Sequence, residues 1–195
     1  MEPTERFTGA LVYATELHAR QRRKMSGAPY VAHLLAVTAT VLEHGGSEDD
    51  AIAALLHDAI EDQGGLATRA AIAERFGEPV AAMVESCSDC HTVPKPPWRE
   101  RKERYVAHLR DAPPSVRLIS AADKLHNARS LLAEYRRLGN DVWQHFHGGR
   151  DGTLWFYRSV VDVLHASDER PIVEELERAV AELEVAMAAQ DRAPS

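Results

Sequence analysis

Residues Ala51–Asp62 read AIAALLHDAIED, and this stretch constrains the chain more than any other. Its first half is apolar and helix-favouring. It then sets His57, Asp58, Glu61 and Asp62 within one and a half helical turns. On a continuous helix, residues four apart share a face, so His57 stands over Glu61 and Asp58 over Asp62. One imidazole and three carboxylates therefore crowd the end of a helix that otherwise reads as buried. Charged groups are rarely buried unless they are paired or hold a metal, so the expectation is a cation at this spot.

The rest of the chain reads as helices separated by Gly and Pro signals. A first helix spans 4–22, with Thr4 as N-cap and a basic end at Arg20, Arg22, Arg23 and Lys24. After the loop Met25–Tyr30, a helix runs from about Val31 to Glu43 and carries His33. Ser47 and Asp50 resemble a capping box for the helix at 48–61, which stops at Gly64–Gly65. Further helices are expected at 68–76, 79–86, 99–110, 115–138, 153–165 and 171–189, with a mixed segment at 140–151. Pro94, Pro96 and Pro97 make 88–98 a loop. No strand pattern or repeat is evident. The expected architecture is all-α, one bundle of roughly eight to ten helices over residues 1–189, with a frayed tail at 190–195.

Composition narrows the class. A net charge of -7 disfavours nucleic acid as a partner, so an anionic ligand needs a local basic patch. No apolar run approaches the roughly 20 residues that span a bilayer. The acidic N-terminus is unlike a signal peptide, which points to the cytoplasm. Oligomeric state is not set by the sequence, and a homo-oligomer is compatible with it. Cys87-Ser88-Asp89-Cys90-His91 formally matches a c-type haem attachment, but that chemistry needs export. A single C-x-x-C is also a weak zinc or redox signal, so two reduced thiols at a helix end is the preferred reading.

His33, His57, Asp58 and Asp123 come from three separate helices, which is how bundles build internal metal sites. Two imidazoles and two carboxylates suit a divalent ion of intermediate hardness. Mn²⁺ is favoured, with Fe²⁺, Co²⁺, Ni²⁺ and Zn²⁺ as alternatives. Four protein ligands on an octahedral ion leave positions for water and substrate, as a catalytic site requires. Asn127 lies one turn beyond Asp123, on the same face, within reach of a ribose or a metal-bound water. Tyr30, Trp155 and Tyr157 offer stacking surfaces, although core packing is the commoner use of each.

The segments RRKMSGAPYVAH, HDAIED and ADKLHNAR, in this order and at these separations, resemble the HD-domain metal-dependent phosphohydrolases. Within them the chain is most similar to the RelA/SpoT-type hydrolase branch and its stand-alone small alarmone hydrolases. The likeness covers about residues 6–165. It implies a helical fold and a Mn²⁺-dependent 3′-pyrophosphohydrolase acting on guanosine tetra- and pentaphosphate. It implies metal ligation by His33, His57, Asp58 and Asp123, and an acidic pair, Glu61 and Asp62, that orients water and takes its proton. It also implies that Arg23 and Lys24 hold substrate phosphates, for which a solvated helix end is the plain alternative. The segment 87–105 departs from the long RelA/SpoT enzymes. There Lys95, Arg99 and Lys102 either touch phosphate or form a solvated face, the latter being the better reading. Base preference stays open among guanine, adenine and the 2′-phosphate of NADPH. The competing functions are a nucleotide phosphatase releasing orthophosphate and a non-catalytic nucleotide-binding module. A second metal is disfavoured, His91 and His108 being the only extra histidines between His57 and Asp123.

Overall fold

The computed structural model describes residues 4–90, 94–168 and 170–192. Its helices are α1 (Glu5–Leu17), α2 (Val31–Glu43), α3 (Glu48–Leu56), α4 (Ala59–Asp62), α5 (Leu66–Phe76), α6 (Glu78–Cys87), α7 (Trp98–Asp111), α8 (Pro114–Leu138), α9 (Gly149–Ser167) and α10 (Pro171–Asp191). A 3₁₀ turn spans Gly139–His145. The all-α expectation holds. Among the described residues the only β-type pairing is one isolated bridge, Arg22 to Pro29. No helix among them is long and apolar enough to cross a membrane.

Helix α8 is the axis of the bundle, packing against α2, α3, α6, α9 and α10. Its sequence explains this position. Val116, Leu118, Ile119, Ala121, Ala122, Leu125, Ala128, Leu131, Leu132 and Tyr135 are all buried, too many for a single stripe. Small residues at 120–122 let neighbours approach closely. Against this axis lies α3, whose residues Ala51–Leu56 are completely inaccessible. Its start is set by the expected capping box: Ser47 N–H donates to Asp50 at 2.8 Å, and Asp50 N–H donates back to Ser47 Oγ at 3.2 Å. Trp98, the first residue of α7, packs against the start of α9: a Cβ on Gly148 would lie 2.5 Å from its indole.

Besides shifts of one or two residues in α5 to α8 and an α9 that starts at Gly149 rather than at 153, three boundaries differ from the sequence expectation. First, α1 ends at Leu17 rather than at residue 22. The residues after it offer no apolar face to keep a helix on the core. They fold back instead as a hairpin-like loop, with Tyr30 N–H bonded to Gln21 O and Arg23 N–H to Ala28 O. Gly27, at φ +69°, makes the turn. Second, the helix at 48–61 breaks at His57–Asp58, where Asp58 has φ -98° and ψ -2° and caps the short α4. Third, α10 continues through Gln190 to Asp191, held by an Arg150–Asp191 ion pair with one contact of 3.0 Å. Residues 193–195 of the expected tail lie outside the described residues, as does His91.

Candidate metal centre and phosphate cleft

The break after α3 determines the site's geometry. Asp62 N–H still bonds to Asp58 O at 2.9 Å across the break, so Asp58 and Asp62 stay one turn apart. Asp58, Glu61 and Asp62 all line a cleft of about 630 Å³, with His57 buried behind them. His33, near the start of α2, is 1% exposed, His57 3% and Asp123 6%, so the centre is nearly dry.

The ligand atoms of His33, His57 and Asp58 all lie within 4.8 Å of one another. His57 Nε2 is 3.0 Å from Asp58 Oδ2, and His33 Nε2 is 3.6 Å from the same oxygen. Asp123 Oδ1 lies 3.2 Å from His33 Nε2 and 3.6 Å from His57 Nε2. All four expected ligands are thus brought together from α2, the α3–α4 turn and α8.

Hydrogen bonding assigns the tautomers. His57 Nδ1 lies 2.8 Å from the carbonyl of Ala54. A carbonyl only accepts, so Nδ1 carries the proton and Nε2 presents a lone pair. His33 Nδ1 is 2.8 Å from His126 Nδ1, and burial, with the charges of His33 and Arg23, pushes His126 down to about 4. One ring nitrogen of that pair therefore donates and the other accepts; with His33 Nδ1 as the donor, His33 Nε2 faces the carboxylates with a lone pair. Both Nε2 atoms are buried without a well-formed hydrogen bond. Two nitrogen lone pairs facing two carboxylates repel one another unless a cation sits among them. With no ion considered, protons fill that role: burial works against charge on His57, but Asp58 and Asp123 carry its pKa well above the ordinary value. Burial likewise opposes charge on Asp58, yet His57 and His33 hold it well below the usual carboxylate range. The residues present fit a divalent cation.

The flanking groups are anchored from elsewhere in the chain. Tyr30 donates to Asp58 Oδ2 at 2.6 Å, so it supports a ligand rather than offering a free stacking face. Asp62 accepts from Gln21 Nε2 at 2.7 Å. The Gln21 carbonyl oxygen lies 2.7 Å from His18 Nδ1 and also takes a bond from Gln63, which fixes the amide so that its NH₂ faces Asp62. Glu61 accepts from Lys95 at 2.8 Å and from Asp89 N–H at 3.3 Å. Burial, then the charge of Asp89, raises Glu61 despite Lys95; burial, then Asp58, raises Asp62. Arg23 donates to Asn127 Oδ1 at 2.9 Å, and Asn127 in turn donates to Asp123 Oδ1. Lys24, exposed, lines the same cleft.

Sequence reasoning passed over His126, His18 and Gln21. His126 had a signal, standing three residues after Asp123 and therefore on the same face of α8. Gln21 had none. The solvated-face reading holds for Arg99, which is half-exposed and lies over the Trp155 ring at 3.3 Å, but not for Lys102, which is largely buried on Asp89. Burial pushes the Cys87 thiol up to about 12, so it is protonated and unsuited to binding zinc or attacking a disulfide.

Such a helical bundle, with paired His and Asp side chains at the head of a deep polar cleft, defines a class. The HD domain family model matches residues 10–154, and the chain belongs to that family. It is 38% identical over 122 residues to guanosine-3′,5′-bis(diphosphate) 3′-pyrophosphohydrolase MESH1 of Xenopus tropicalis, covering 61% of this chain and 65% of that one. The guanosine-3′,5′-bis(diphosphate) 3′-pyrophosphohydrolase of Aquifex aeolicus is 35% identical over 127 residues, 65% of this chain and 18% of that protein. A solved structure described as a metazoan ortholog of SpoT that hydrolyzes ppGpp and plays a role in starvation responses matches with a TM-score of 0.76 and 26% identity. The match covers 93% of this chain and 97% of that one. The chain spans 65% of the length of the Xenopus relative it matches.

Proposed function

We propose that this chain is a Mn²⁺-dependent pyrophosphohydrolase that removes the 3′-pyrophosphate of guanosine tetra- and pentaphosphate or their adenosine analogues, within the cytoplasm. The carrying observation is the pair of buried Nε2 atoms of His33 and His57 facing Asp58 and Asp123 at the head of the cleft. His33, His57, Asp58 and Asp123 are its metal ligands. Bound there, the ion supplies an activated water and polarises a phosphoryl oxygen.

Glu61 and Asp62 are the bases. Both line the cleft, and burial has already lifted both toward the range where a carboxylate accepts a proton readily. The attacking oxygen bonds to the inner phosphorus of the 3′-pyrophosphate, the bond from that phosphorus to the ribose O3′ breaks, and one proton of the water passes to the acidic pair and from it to the departing O3′. The products are pyrophosphate and a nucleotide with a free 3′-hydroxyl. Arg23 and Lys24 bind the nucleotide's phosphates, with Asn127 between Arg23 and the centre.

The test is a screen of purine 3′-pyrophosphates and NADPH with added Mn²⁺, with phosphate speciation. Pyrophosphate release from a guanosine or adenosine 3′-pyrophosphate supports the reading. Release of orthophosphate alone, or turnover of NADPH in preference, replaces it with a phosphatase. Binding without turnover replaces it with a nucleotide-binding module.

A further inference from the structure

Beyond Arg23 and Lys24, the cleft holds a second pair of cations. Lys102 on α7 and Lys124 on α8 both line it beside Asp123. Their ammonium groups straddle the same two rings. Lys102 Nζ lies 4.8 Å from the centre of Phe156 and 6.0 Å from that of Tyr105. Lys124 Nζ lies 4.9 Å from Tyr105 and 5.9 Å from Phe156. Both side chains are largely buried, 20% and 13% exposed.

Two buried ammonium groups near one another repel, and each is bonded to one carboxylate among the described residues. Lys124 bonds Asp123 Oδ2. Lys102 lies 2.7 Å from Asp89 Oδ2. Asp89, however, already has a full partner: Arg101 Nη1 reaches its two oxygens at 2.7 and 2.5 Å. One carboxylate therefore faces two cations, with Glu61 the next negative charge acting on Lys102. Burial, followed by the charge of Lys124, pulls the Lys102 pKa below its usual value. An anion with several oxygens relieves this arrangement, since an ammonium has three donors and each of these is bonded to one carboxylate among the described residues.

The position matters as much as the charge. One oxygen of Asp123 is reached through Asn127 from Arg23, and the other is held by Lys124. The centre is thus flanked by cations on both sides.

We propose that Lys102 and Lys124 form a subsite for the outer phosphoryl group of a 3′-pyrophosphate, leaving Arg23 and Lys24 to the 5′-phosphates. The proposal rests on the pyrophosphohydrolase reading for its substrate, but the subsite itself is testable without turnover. It makes diphosphate esters better substrates than monophosphate esters, and pyrophosphate a tighter ligand than orthophosphate.

The experiment is calorimetric titration of the metal-free full chain with pyrophosphate and, separately, orthophosphate. Wild type is compared with Lys102→Met, which keeps the stem against Phe156, and Lys102→Arg, which keeps the charge. Pyrophosphate affinity should fall roughly tenfold in Lys102→Met, as for loss of a charged hydrogen bond, with orthophosphate affinity within about twofold and Lys102→Arg restoring most of the loss. Lys102→Gln serves the same comparison should the methionine variant melt early. Equal pyrophosphate affinity in wild type and the uncharged variants overturns the subsite. If that equality accompanies turnover of a 3′-pyrophosphate by wild type, the subsite falls and the enzymatic reading stands. If the affinities shift as expected yet no nucleotide is hydrolysed, the subsite stands and the enzymatic reading falls.

Discussion

The floor and the rim of the cleft are built on different principles. On the floor, His33, His57 and Asp123 sit on or next to helices whose neighbouring residues are wholly inaccessible, such as Leu34, Leu56 and Ala122. Their positions are fixed by packing, and a ligand there moves only if a helix moves. On the rim, Arg23, Lys24, Glu61, Asp62 and Lys95 sit on loops or a one-turn helix and remain partly exposed. Their positions are fixed by polar contacts between side chains: Gln21 to Asp62, Lys95 to Glu61, Arg23 to Asn127. A preformed floor suits an ion that tolerates little misplacement. A rim held by exchangeable hydrogen bonds suits a polyanion that must enter and leave.

The contrast can be broken hardest at the floor. Asp58→Ala should lower turnover by roughly a thousandfold or more, because the ion and its activated water go with it. Circular dichroism should still show a folded chain, and metal analysis should show depleted Mn²⁺. If the variant retains full activity, the ligand set is wrong. Ile52→Ala, wholly buried in α3, should cost about 2–5 kcal/mol in urea denaturation through the cavity it leaves. A cost below 1 kcal/mol would mean that the floor is looser than its packing implies.

At the rim the effects should be smaller and confined to rate. Gln21→Met removes the amide donor to Asp62 without shortening the side chain. It should lower kcat about tenfold, the low end for a positioned acid–base group, with KM and metal content little changed. A change in KM alone would show that Gln21 serves substrate binding instead. The pH profile sharpens the point. Because burial raises Glu61 and Asp62, the acid limb of kcat should lie above the ordinary carboxylate range. The positive charge of Lys95 lowers Glu61, so Lys95→Met should move that limb to higher pH. A limb that stays put, or moves down, would assign it to another group. Smallest of all, Arg99→Ala, on the half-exposed face of α7, should change stability by no more than about 0.5 kcal/mol and leave kcat unchanged.

Much of this molecule was legible before any coordinates, where the controlling forces are local. The α3 capping box follows from Ser47 and Asp50 alone, the stop of α8 from Gly139, and the loop before α7 from three prolines. Local reasoning failed where distant parts of the chain decide. Helical spacing predicted one continuous helix over 48–61, whereas the backbone breaks at His57–Asp58, where groups from α2 and α8 meet the pair. Residues 18–22 have good helix formers, yet they leave the helix to aim His18 and Gln21 at the site. Lys102 reads as one charge among many on α7, and only the packing of α7 against α9 buries it beside Phe156.

By itself the sequence determined most of the helix inventory, the acidic run after α3 and the four side chains, His33, His57, Asp58 and Asp123, that are the candidate ligands, because capping, periodicity and residue chemistry act over a few residues. Only the tertiary structure decided that His126 orients His33, that Gln21 holds Asp62 and that Lys102 and Lys124 meet. Each of those contacts joins side chains from separate segments, 93 residues apart for His126 and His33 and 41 apart for Gln21 and Asp62. No local preference specifies such a meeting. It emerges when the apolar faces of α2, α3 and α8 close on one another and carry the polar groups with them.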